Sequence, residues 1–267
     1  MIGTHGRAGS EPRRDYHVAI RNGTSAAGSS GSGDRVLVTG VYLADRDNSA
    51  AAIAMEVRQS KRWEVEQKWI ALGRAPIPEA LATVTAWRVE EPVPKFALLN
   101  RILSECDLDR YAFVLVCDDD IVFPAAFVDR YLDLVTKHDL ALAQPARTHD
   151  SYIGHTFVEQ LDGLDARRTR FVEIGPLFSM AREACRHLLP FDESSPMGWG
   201  YDYIWPVVME EVGLRMGIVD ATPVAHRLRK PATHYRFEEA RAAMRALLAR
   251  CPHLSKQEAF SILEAYS

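Results

Sequence analysis

The chain has 267 residues, of which 47% are hydrophobic and 25% are charged, and its formal net charge is −4 at pH 7. This charge excludes a general electrostatic attraction to nucleic acid, and the lack of any run of 18 apolar residues excludes a transmembrane helix at the level of the sequence. The N-terminus also lacks the apolar stretch of a signal peptide. We therefore expect a soluble, cytoplasmic protein without a nucleic-acid partner.

The composition of the chain changes at residue 34. Residues 1–33 include the segment RNGTSAAGSSGSGD, which is too poor in apolar side chains to fold, so we predict a flexible Gly/Ser-rich tail. Residues 34–267 form one predicted domain, in which strand-like and helix-like patterns alternate. Strands are predicted at residues 35–43, 63–72, 112–117, 140–145, 170–175 and 216–220. Helices are predicted at residues 49–61, 95–106, 124–139, 179–188, 201–213 and 237–251, and the capping box SKQE (255–258) opens a last helix.

The order of these elements indicates the fold class. Strands that alternate with helices are typical of an α/β domain with a mainly parallel central sheet flanked by helices, as in Rossmann-like folds, here closed by C-terminal helices. Ligands of such sheets bind beyond the carboxyl ends of the strands. Functional residues are therefore expected just after the predicted strands.

Three consecutive carboxylates, Asp118, Asp119 and Asp120, lie where a buried strand is predicted to end, in the segment FVLVCDDDIVFP. Carboxylate oxygens are preferred ligands of Mg²⁺ and Mn²⁺, and two carboxylates one residue apart reach one ion or its waters. An apolar strand followed by Asp-x-Asp is a recurrent way to hold a cation against a diphosphate. The alternative is a solvated turn with an Asp cap before Pro124.

Two further segments carry candidate acids. In MGWGYDYIW (197–205), Trp199 lies between two glycines, and Asp202 lies at a predicted helix start. An aromatic ring suits the face of a sugar, and a nearby carboxylate is a candidate general base. The alternative is a Gly-rich turn with a core Trp199 and Asp202 as a helix cap. Glu173 lies between apolar neighbours in a predicted strand, where an acid is more often functional or paired than idle.

A histidine and several basic residues follow the last predicted strand. His226 is a candidate ligand because imidazole binds Mn²⁺ as well as Zn²⁺, although a single His is more often structural. Arg229 and Lys230 belong to the basic segment HRLRKPATHYR (226–236). Their charges complement phosphate oxygens, and a solvated basic surface is the alternative.

Taken in order, these motifs resemble those of GT-A glycosyltransferases: CDDD after a strand, then GWGYD, then VAH. Members of that fold have an Asp-x-Asp metal motif, a later acidic motif in the acceptor region and often a metal-binding His near the end. The GWG segment with its acid is similar to the acceptor-side motif of β-1,4-galactosyltransferases, in which the acid is the base.

A closer resemblance is to a plant-type domain of unknown function labelled lysine-ketoglutarate reductase trans-splicing related. It covers residues 110–235 and includes, in order, CDDD, LALAQPARTHDS, FVEIGPLFS, GWGYD and IVDATPVAH. The membrane anchor typical of plant members is not found in this sequence. The reductase label has no support, because no G-x-G-x-x-G follows a predicted strand.

The resemblance implies a metal-dependent glycosyltransferase that uses a nucleotide sugar, with UDP-sugar favoured, and a hydroxyl acceptor on a carbohydrate, a glycolipid or a small molecule. Asp118, Asp120 and His226 would hold Mn²⁺ or Mg²⁺. Asp202 would be the base of an inverting reaction, with Glu173 as its rival. The predicted contacts to the donor are Asp45, Asp47, Lys95, Asp118, Asp119, Trp199, Arg229 and Lys230.

Two other classes of function remain open from the sequence. The segment VLVCDDDIV also resembles the haloacid-dehalogenase phosphatase motif, with Asp118 as nucleophile and Asp120 as acid. That motif normally opens its domain, whereas a predicted sheet precedes this one. The third possibility is a catalytically silent module that binds a sugar or a nucleotide.

Overall fold

The computed structural model describes residues 20–21, 35–229 and 236–267. The strands are β1 Ile20–Arg21, β2 Arg35–Leu43, β3 Glu64–Leu72, β4 Thr85–Val89, β5 Phe113–Cys117, β6 Ile121–Val122, β7 Leu142–Arg147, β8 Ala166–Thr169, β9 Leu177–Ala181, β10 Met216–His226 and β11 Ile262–Tyr266. The helices are α1 Ala50–Val57, α2 Glu79–Ala82, α3 Lys95–Ser104, α4 Phe127–Lys137, α5 Arg182–Leu188, α6 Tyr201–Glu211, α7 Phe237–Leu248 and α8 Lys256–Ala259. Of the predicted tail, only Ile20–Arg21 falls within the described residues.

The strands form a mixed sheet in the order β1-β11-β8-β10-β7-β9-β5-β2-β3-β4, and β6 pairs with β10. Along this order, β8 and β9 are antiparallel to each strand they pair with, and every other pair is parallel. Eight of the ten described strands of the order therefore share one direction, and the prediction of a mainly parallel sheet is confirmed. The carboxyl ends of β2, β3, β5, β7 and β10 meet at the same edge.

Helices cover both faces of the sheet. Along β2, Val36 and Val38 belong to an apolar cluster that includes side chains of α1 and α4, whereas Leu37 and Val41 belong to a second cluster with side chains of α3, α5 and α6. A central strand that is buried on both faces is expected to be largely apolar, which explains the mainly apolar sequence of β2. None of the helices in the described part of the chain is long and apolar enough to cross a bilayer.

The predicted strand at 170–175 is wrong. The strand in this region is β8, which ends at Thr169, and Glu173 lies in the connection to β9. The sequence of β8 contains Arg167, whose side chain is buried and whose Nε lies 3.1 Å from Asp220 Oδ2. Because this charge is neutralised by an acid that is distant in sequence, the local hydrophobic pattern does not reveal the strand.

Residues 237–267 contain a strand, β11, in addition to the predicted C-terminal helices. Helix α7 confirms one of those helices, but α8 has only four residues and is followed by β11, which pairs with β8 and β1. Strand β11 is held partly by polar contacts, since Glu264 Oε1 lies 2.7 Å from Arg168 Nη1. Such cross-strand ion pairs form only after the sheet has assembled, so the sequence pattern of β11 is a weak signal.

The predicted capping box is confirmed at the start of α8. Ser255 Oγ accepts a hydrogen bond from Glu258 N at 3.3 Å, and Glu258 Oε2 accepts one from Ser255 N at 2.8 Å. Ser255→Ala removes the first bond and should lower the free energy of unfolding by about 1 kcal/mol. Urea denaturation measures this, with the exposed terminal Ser267→Ala as the control. Equal midpoints for the two variants would contradict the expectation.

Candidate functional site

A cavity of about 720 Å³ lies at the carboxyl edge of the sheet. Five strands contribute their last residues, or the residues just after them, to its lining: Leu43 from β2, Leu72 from β3, Asp118–Asp120 after β5, Arg147 from β7 and His226 from β10. This is the edge at which sheets of this class bind ligands. Most of the residues predicted for the site therefore meet in one place.

Each carboxylate of the acidic cluster faces a positively charged or imidazole side chain. Asp118 pairs with Lys95 Nζ. Asp119 pairs with Arg229 Nη2, and its other oxygen accepts a hydrogen bond from Leu43 N at 2.7 Å. Asp120 Oδ2 lies 3.2 Å from the same Arg229 nitrogen and 3.3 Å from His226 Nε2. The cluster is thus not the solvated turn of the alternative interpretation.

The buried position of this cluster affects its acids differently. Burial raises the pKa of Asp119 to about 6, although Arg229 and the Leu43 amide favour the charged form. Burial also acts to raise the pKa of Asp120, but the nearby His226 and Arg229 outweigh it and hold that pKa below its usual value. Asp120 is therefore the charged acid at neutral pH that lies beside an imidazole.

The orientation of His226 suits a ligand of a cation. Its Nδ1 lies 3.2 Å from the backbone oxygen of Tyr152. Because a carbonyl oxygen only accepts hydrogen bonds, we infer that Nδ1 is the protonated nitrogen and donates this bond. The bond orients the ring so that Nε2 faces Asp120. Metal-binding histidines are commonly fixed in this way by a hydrogen bond from the second ring nitrogen.

The structure brings together only part of the predicted metal site. Asp120 and His226 face each other, whereas Asp118 is turned towards Lys95. Within the described residues, no three His, Cys, Asp or Glu side chains are grouped closely enough to hold a metal ion. The donor set still fits Mg²⁺ or Mn²⁺, since such ions are often bound by one or two protein side chains together with substrate phosphates and water.

Glu173 is one of two acids of the cavity wall that are distant from this cluster in sequence, and Glu239 is the other. Its side chain is 18% exposed, and Oε2 lies 3.4 Å from Arg147 Nη2. Its backbone amide donates a hydrogen bond to Gln144 Oε1, which ties the loop to β7. Burial raises the pKa of Glu173, and the charge of Arg147 opposes that rise.

Asp202 lies in the first turn of α6, behind the turn made by Gly198 and Gly200. Both glycines have positive φ, at 74° and 104°, and a Cβ on Gly198 would lie 2.2 Å from the Phe96 ring. The GWG motif is thus required by the backbone and by packing. Asp202 itself is 7% exposed and is not among the described residues that line the cavity. Burial and then the charge of Glu173 raise its pKa to about 7.

The other predicted donor contacts have different surroundings. Trp199 and Arg229 line the cavity. Asp45 and Asp47 are not among the lining residues that the structure describes: Asp45 accepts hydrogen bonds from Arg74 N and Ala75 N, and the backbone oxygen of Asp47 accepts one from Arg229 Nη1 at 2.8 Å. Lys230 lies outside the described residues. The roles of these residues towards a donor stay predictions.

The sequence analysis missed Arg147, Tyr152 and Glu239, which also line the cavity. Arg147 ends β7 in the segment LAQPAR, and its full burial at 1% exposure is the feature that sets it apart. A charged residue directly after an apolar strand was the signal used for Asp118–Asp120. Applied to β7, it would have indicated Arg147 as well.

No protein-family model matches the chain, and no curated protein matches it in sequence. The plant-type family therefore stays a prediction. Among solved structures, GalNAc-T7 in a crystal with UDP, GalNAc and Mn²⁺ aligns with a TM-score of 0.52 and 11% identity over 76% of this chain and 44% of its own. A mycobacterial protein aligns with a TM-score of 0.49 and 17% identity over 84% of this chain and 76% of its own. TarS of S. aureus aligns with a TM-score of 0.49 and 11% identity over 80% of this chain and 38% of its own.

The alignment with GalNAc-T7 concerns the fold, since the identity is low and this chain spans less than half of that protein's length. It agrees with the features described above. These are a single α/β domain and a mainly parallel sheet with helices on both faces. The chain has a GT-A-type α/β fold.

Proposed function

We propose that the protein is a divalent-cation-dependent glycosyltransferase that moves a sugar from a nucleotide-sugar donor, with a UDP-sugar favoured, to a hydroxyl acceptor. One observation carries this proposal. The cavity at the carboxyl edge has an ionic wall, which contains the acidic cluster with Lys95 and Arg229, and an apolar wall next to it. A nucleotide sugar combines the same two chemistries, a charged diphosphate and a flat nucleobase.

The donor is expected to lie across the two walls. The apolar wall is formed at the ends of β2 and β3 and in the segment before α3, by Val41, Leu43, Leu72, Pro92 and Val93. These side chains suit the face of a nucleobase. Lys95 and Arg229 lie beside them and suit phosphate oxygens, because charge-assisted hydrogen bonds to phosphate are strong.

Asp120 and His226 are the residues that would hold Mn²⁺ or Mg²⁺. When bound, the cation would neutralise charge on the diphosphate leaving group. Asp118 would take part only if it exchanged its contact with Lys95, and Asp119 is engaged by Arg229 and the Leu43 amide. The part played by the chain itself is to hold the anionic donor beside fixed positive charges.

Glu173 is the acid that we assign as general base, ahead of Asp202. The acceptor oxygen attacks the anomeric carbon, its proton passes to the Glu173 carboxylate, and the bond between that carbon and the diphosphate oxygen breaks with its electron pair left on the diphosphate. Direct displacement of this kind inverts the anomeric configuration. Support for Glu173 comes from its place in the cavity wall, whereas Asp202 is 7% exposed behind the GWG turn.

The acceptor is a hydroxyl on a carbohydrate, a glycolipid or a small molecule. Trp199 lines the cavity, and its ring packs edge-on against Phe237 at 5.0 Å. An aromatic ring is the kind of surface on which a sugar ring stacks.

A panel of nucleoside diphosphates, each with Mn²⁺ or with EDTA, tests the proposal by thermal shift. A ligand at about 100 times its Kd stabilises the folded state by about 2.7 kcal/mol, which raises the Tm of a chain of this size by roughly 5–10 °C. We expect such a shift for one nucleotide, UDP being favoured, and only with the metal. No shift with any nucleotide would contradict the proposal. A thermal shift with inorganic phosphate or a sugar phosphate, in the absence of a nucleotide, would favour the phosphatase alternative.

A further inference from the structure

Two acids, the partly exposed Glu173 in the cavity wall and the buried Asp202 behind it, have unequal surroundings. Glu173 lies 3.4 Å from a guanidinium nitrogen of Arg147, and its side chain is 18% exposed at the cavity wall. Asp202 forms no ion pair with the described residues, and its Oδ1 is buried and accepts no hydrogen bond from them. Backbone N–H groups at the start of α6 favour its charged form, but burial outweighs them and raises its pKa to about 7. The two acids nevertheless interact, since the charge of Glu173 raises the pKa of Asp202.

Arg147 is fixed in place by contacts other than the one to Glu173. Its side chain is 1% exposed, Nη1 donates a hydrogen bond to the Pro145 oxygen at 2.8 Å, and Nη2 donates one to the Gly175 oxygen at 2.9 Å. The guanidinium therefore links the carboxyl end of its own strand to the loop that carries Glu173. Its positive charge is not free to move to another acid.

Two interacting acids in a poorly solvated region are not expected to be charged together, because each charge is costly to bury and the two repel. The fixed positive charge decides which of them is ionised. The guanidinium of Arg147 lies beside Glu173, and Asp202 has no positively charged partner among the described residues. Glu173 is then the acid that gives up its proton first.

We propose that Arg147 is the positioning residue that keeps Glu173 anionic and held at the cavity wall, while Asp202 retains the proton of the pair. The catalytic meaning of this assignment rests on the proposed function, in which Glu173 is the base. In this proposal Arg147 acts through Glu173 and does not itself contact the substrate.

The groups that influence Glu173 are known from the structure. Arg147 and His226 favour its charged form, and Asp118 opposes it, while Asp202 is the acid that interacts with it. Since Glu173 has to be charged to accept a proton, activity should be present above its pKa and lost as the pH falls through it. Removal of Arg147 should move this loss of activity to higher pH.

The test compares Arg147→Met with Arg147→Lys, which keeps the charge. In protein labelled with ¹³C at the glutamate carboxyl carbons and kept free of divalent cations, the Glu173 signal is identified by its loss in Glu173→Gln. Arg147→Met should raise the pH midpoint of that signal by about 1–3 units, the size of effect that an adjacent arginine has on an acid, and Arg147→Lys should restore most of it. An unchanged midpoint in Arg147→Met would overturn the proposal.

Turnover provides the second readout. In Arg147→Met, the acidic limb of the kcat–pH profile should move by the same amount as the NMR midpoint. A uniform loss of kcat at all pH values, with the limb in place, would mean that Arg147 is only structural and would also overturn the proposal. If the wild-type protein turns over no nucleotide sugar, the proposed function fails, and the NMR midpoints still decide whether Arg147 controls Glu173.

A third variant remains informative if Arg147→Met does not fold. Asp202→Asn mimics an acid that keeps its proton, so the Glu173 midpoint should be the same as in the wild type. A clear fall of that midpoint in Asp202→Asn would show that Asp202 is charged while Glu173 titrates, which contradicts the proposal.

Discussion

Glu173→Gln should lower kcat by about 10²–10⁴, because the acceptor hydroxyl then has no base to take its proton. Binding of the nucleotide with its metal should change little, since the acidic cluster and the apolar wall are intact in this variant. Initial rates at saturating donor and calorimetric titration of the nucleoside diphosphate, both with Mn²⁺, measure the two quantities separately. The amide is close in size to the carboxyl group, so the cavity keeps its shape.

Asp202→Asn is the matched control for this prediction. If Asp202 retains its proton, as we propose, the variant should keep kcat within about tenfold of the wild type, well short of the loss of a general base. The opposite pattern, in which Asp202→Asn loses turnover and Glu173→Gln keeps it, would assign the base to Asp202, as the GWG motif predicts from the sequence.

Asp120→Ala should weaken Mn²⁺-dependent binding of the nucleoside diphosphate by at least about 100-fold, the upper end of the loss that removal of outer-shell partners of metal ligands causes. Asp120 is the carboxylate that faces His226, and its pKa is held low by His226 and Arg229 despite burial. Calorimetry with and without Mn²⁺ measures the effect. Unchanged binding would remove the metal site from the proposal.

Two variants calibrate the Asp120→Ala result. Asp109→Ala is the neutral control, since Asp109 is an exposed acid before β5, at the opposite end of that strand, and pairs with Arg186. Arg229→Met should have the opposite effect on the affinity for the metal ion. It removes the guanidinium that lies 3.2 Å from Asp120, so Mn²⁺ alone should bind more tightly than to the wild type. The donor should lose a phosphate contact in the same variant.

Strands β2 and β5 could be predicted from the sequence because they are buried on both faces, whereas the half-exposed β4 was not predicted. Strand β2 is found at Arg35–Leu43 as predicted, and β3 and β5 differ from prediction by one residue at their starts. Continuous apolar patterns are sufficient for β2 and β5, and β3 is indicated by its alternation of polar and apolar residues. Strands β8 and β11 contain Arg167 and Glu264, whose charges are neutralised by partners distant in sequence, so the local sequence is not enough.

The candidate site was predictable where polar residues directly follow an apolar strand. This applies to Asp118–Asp120. His226 was predicted to lie several residues beyond a strand at 216–220, whereas β10 extends to it, and the structure places it at the same cavity. The pairing of charges within the site was not predictable. Lys95 comes from the start of α3 and Arg229 from beyond β10, and both reach the acidic cluster only through the fold.

The relation between Glu173 and Asp202 also needed the structure. The motif around Asp202 suggests an exposed acid beside an aromatic platform, whereas the positive φ of Gly198 and Gly200 folds the turn so that Asp202 is 7% exposed behind it. Glu173 reaches the cavity because its segment is a loop instead of the predicted strand. Its neighbour Arg147 is 26 positions away in sequence.

The bond that the protein breaks in a nucleotide sugar is the most direct test of the account. Wild-type protein with Mn²⁺ and a panel of nucleotide sugars, with a mixture of sugar and small-molecule hydroxyl acceptors, is followed by ³¹P NMR, and Glu173→Gln is the control. Glycosyl transfer predicts that a nucleoside diphosphate appears as the only new phosphorus species, and that Glu173→Gln slows its release by about 10²–10⁴. Release of inorganic phosphate, or of a nucleoside monophosphate with a sugar phosphate, would contradict the account, since it would mean that the protein cleaves a phosphorus–oxygen bond.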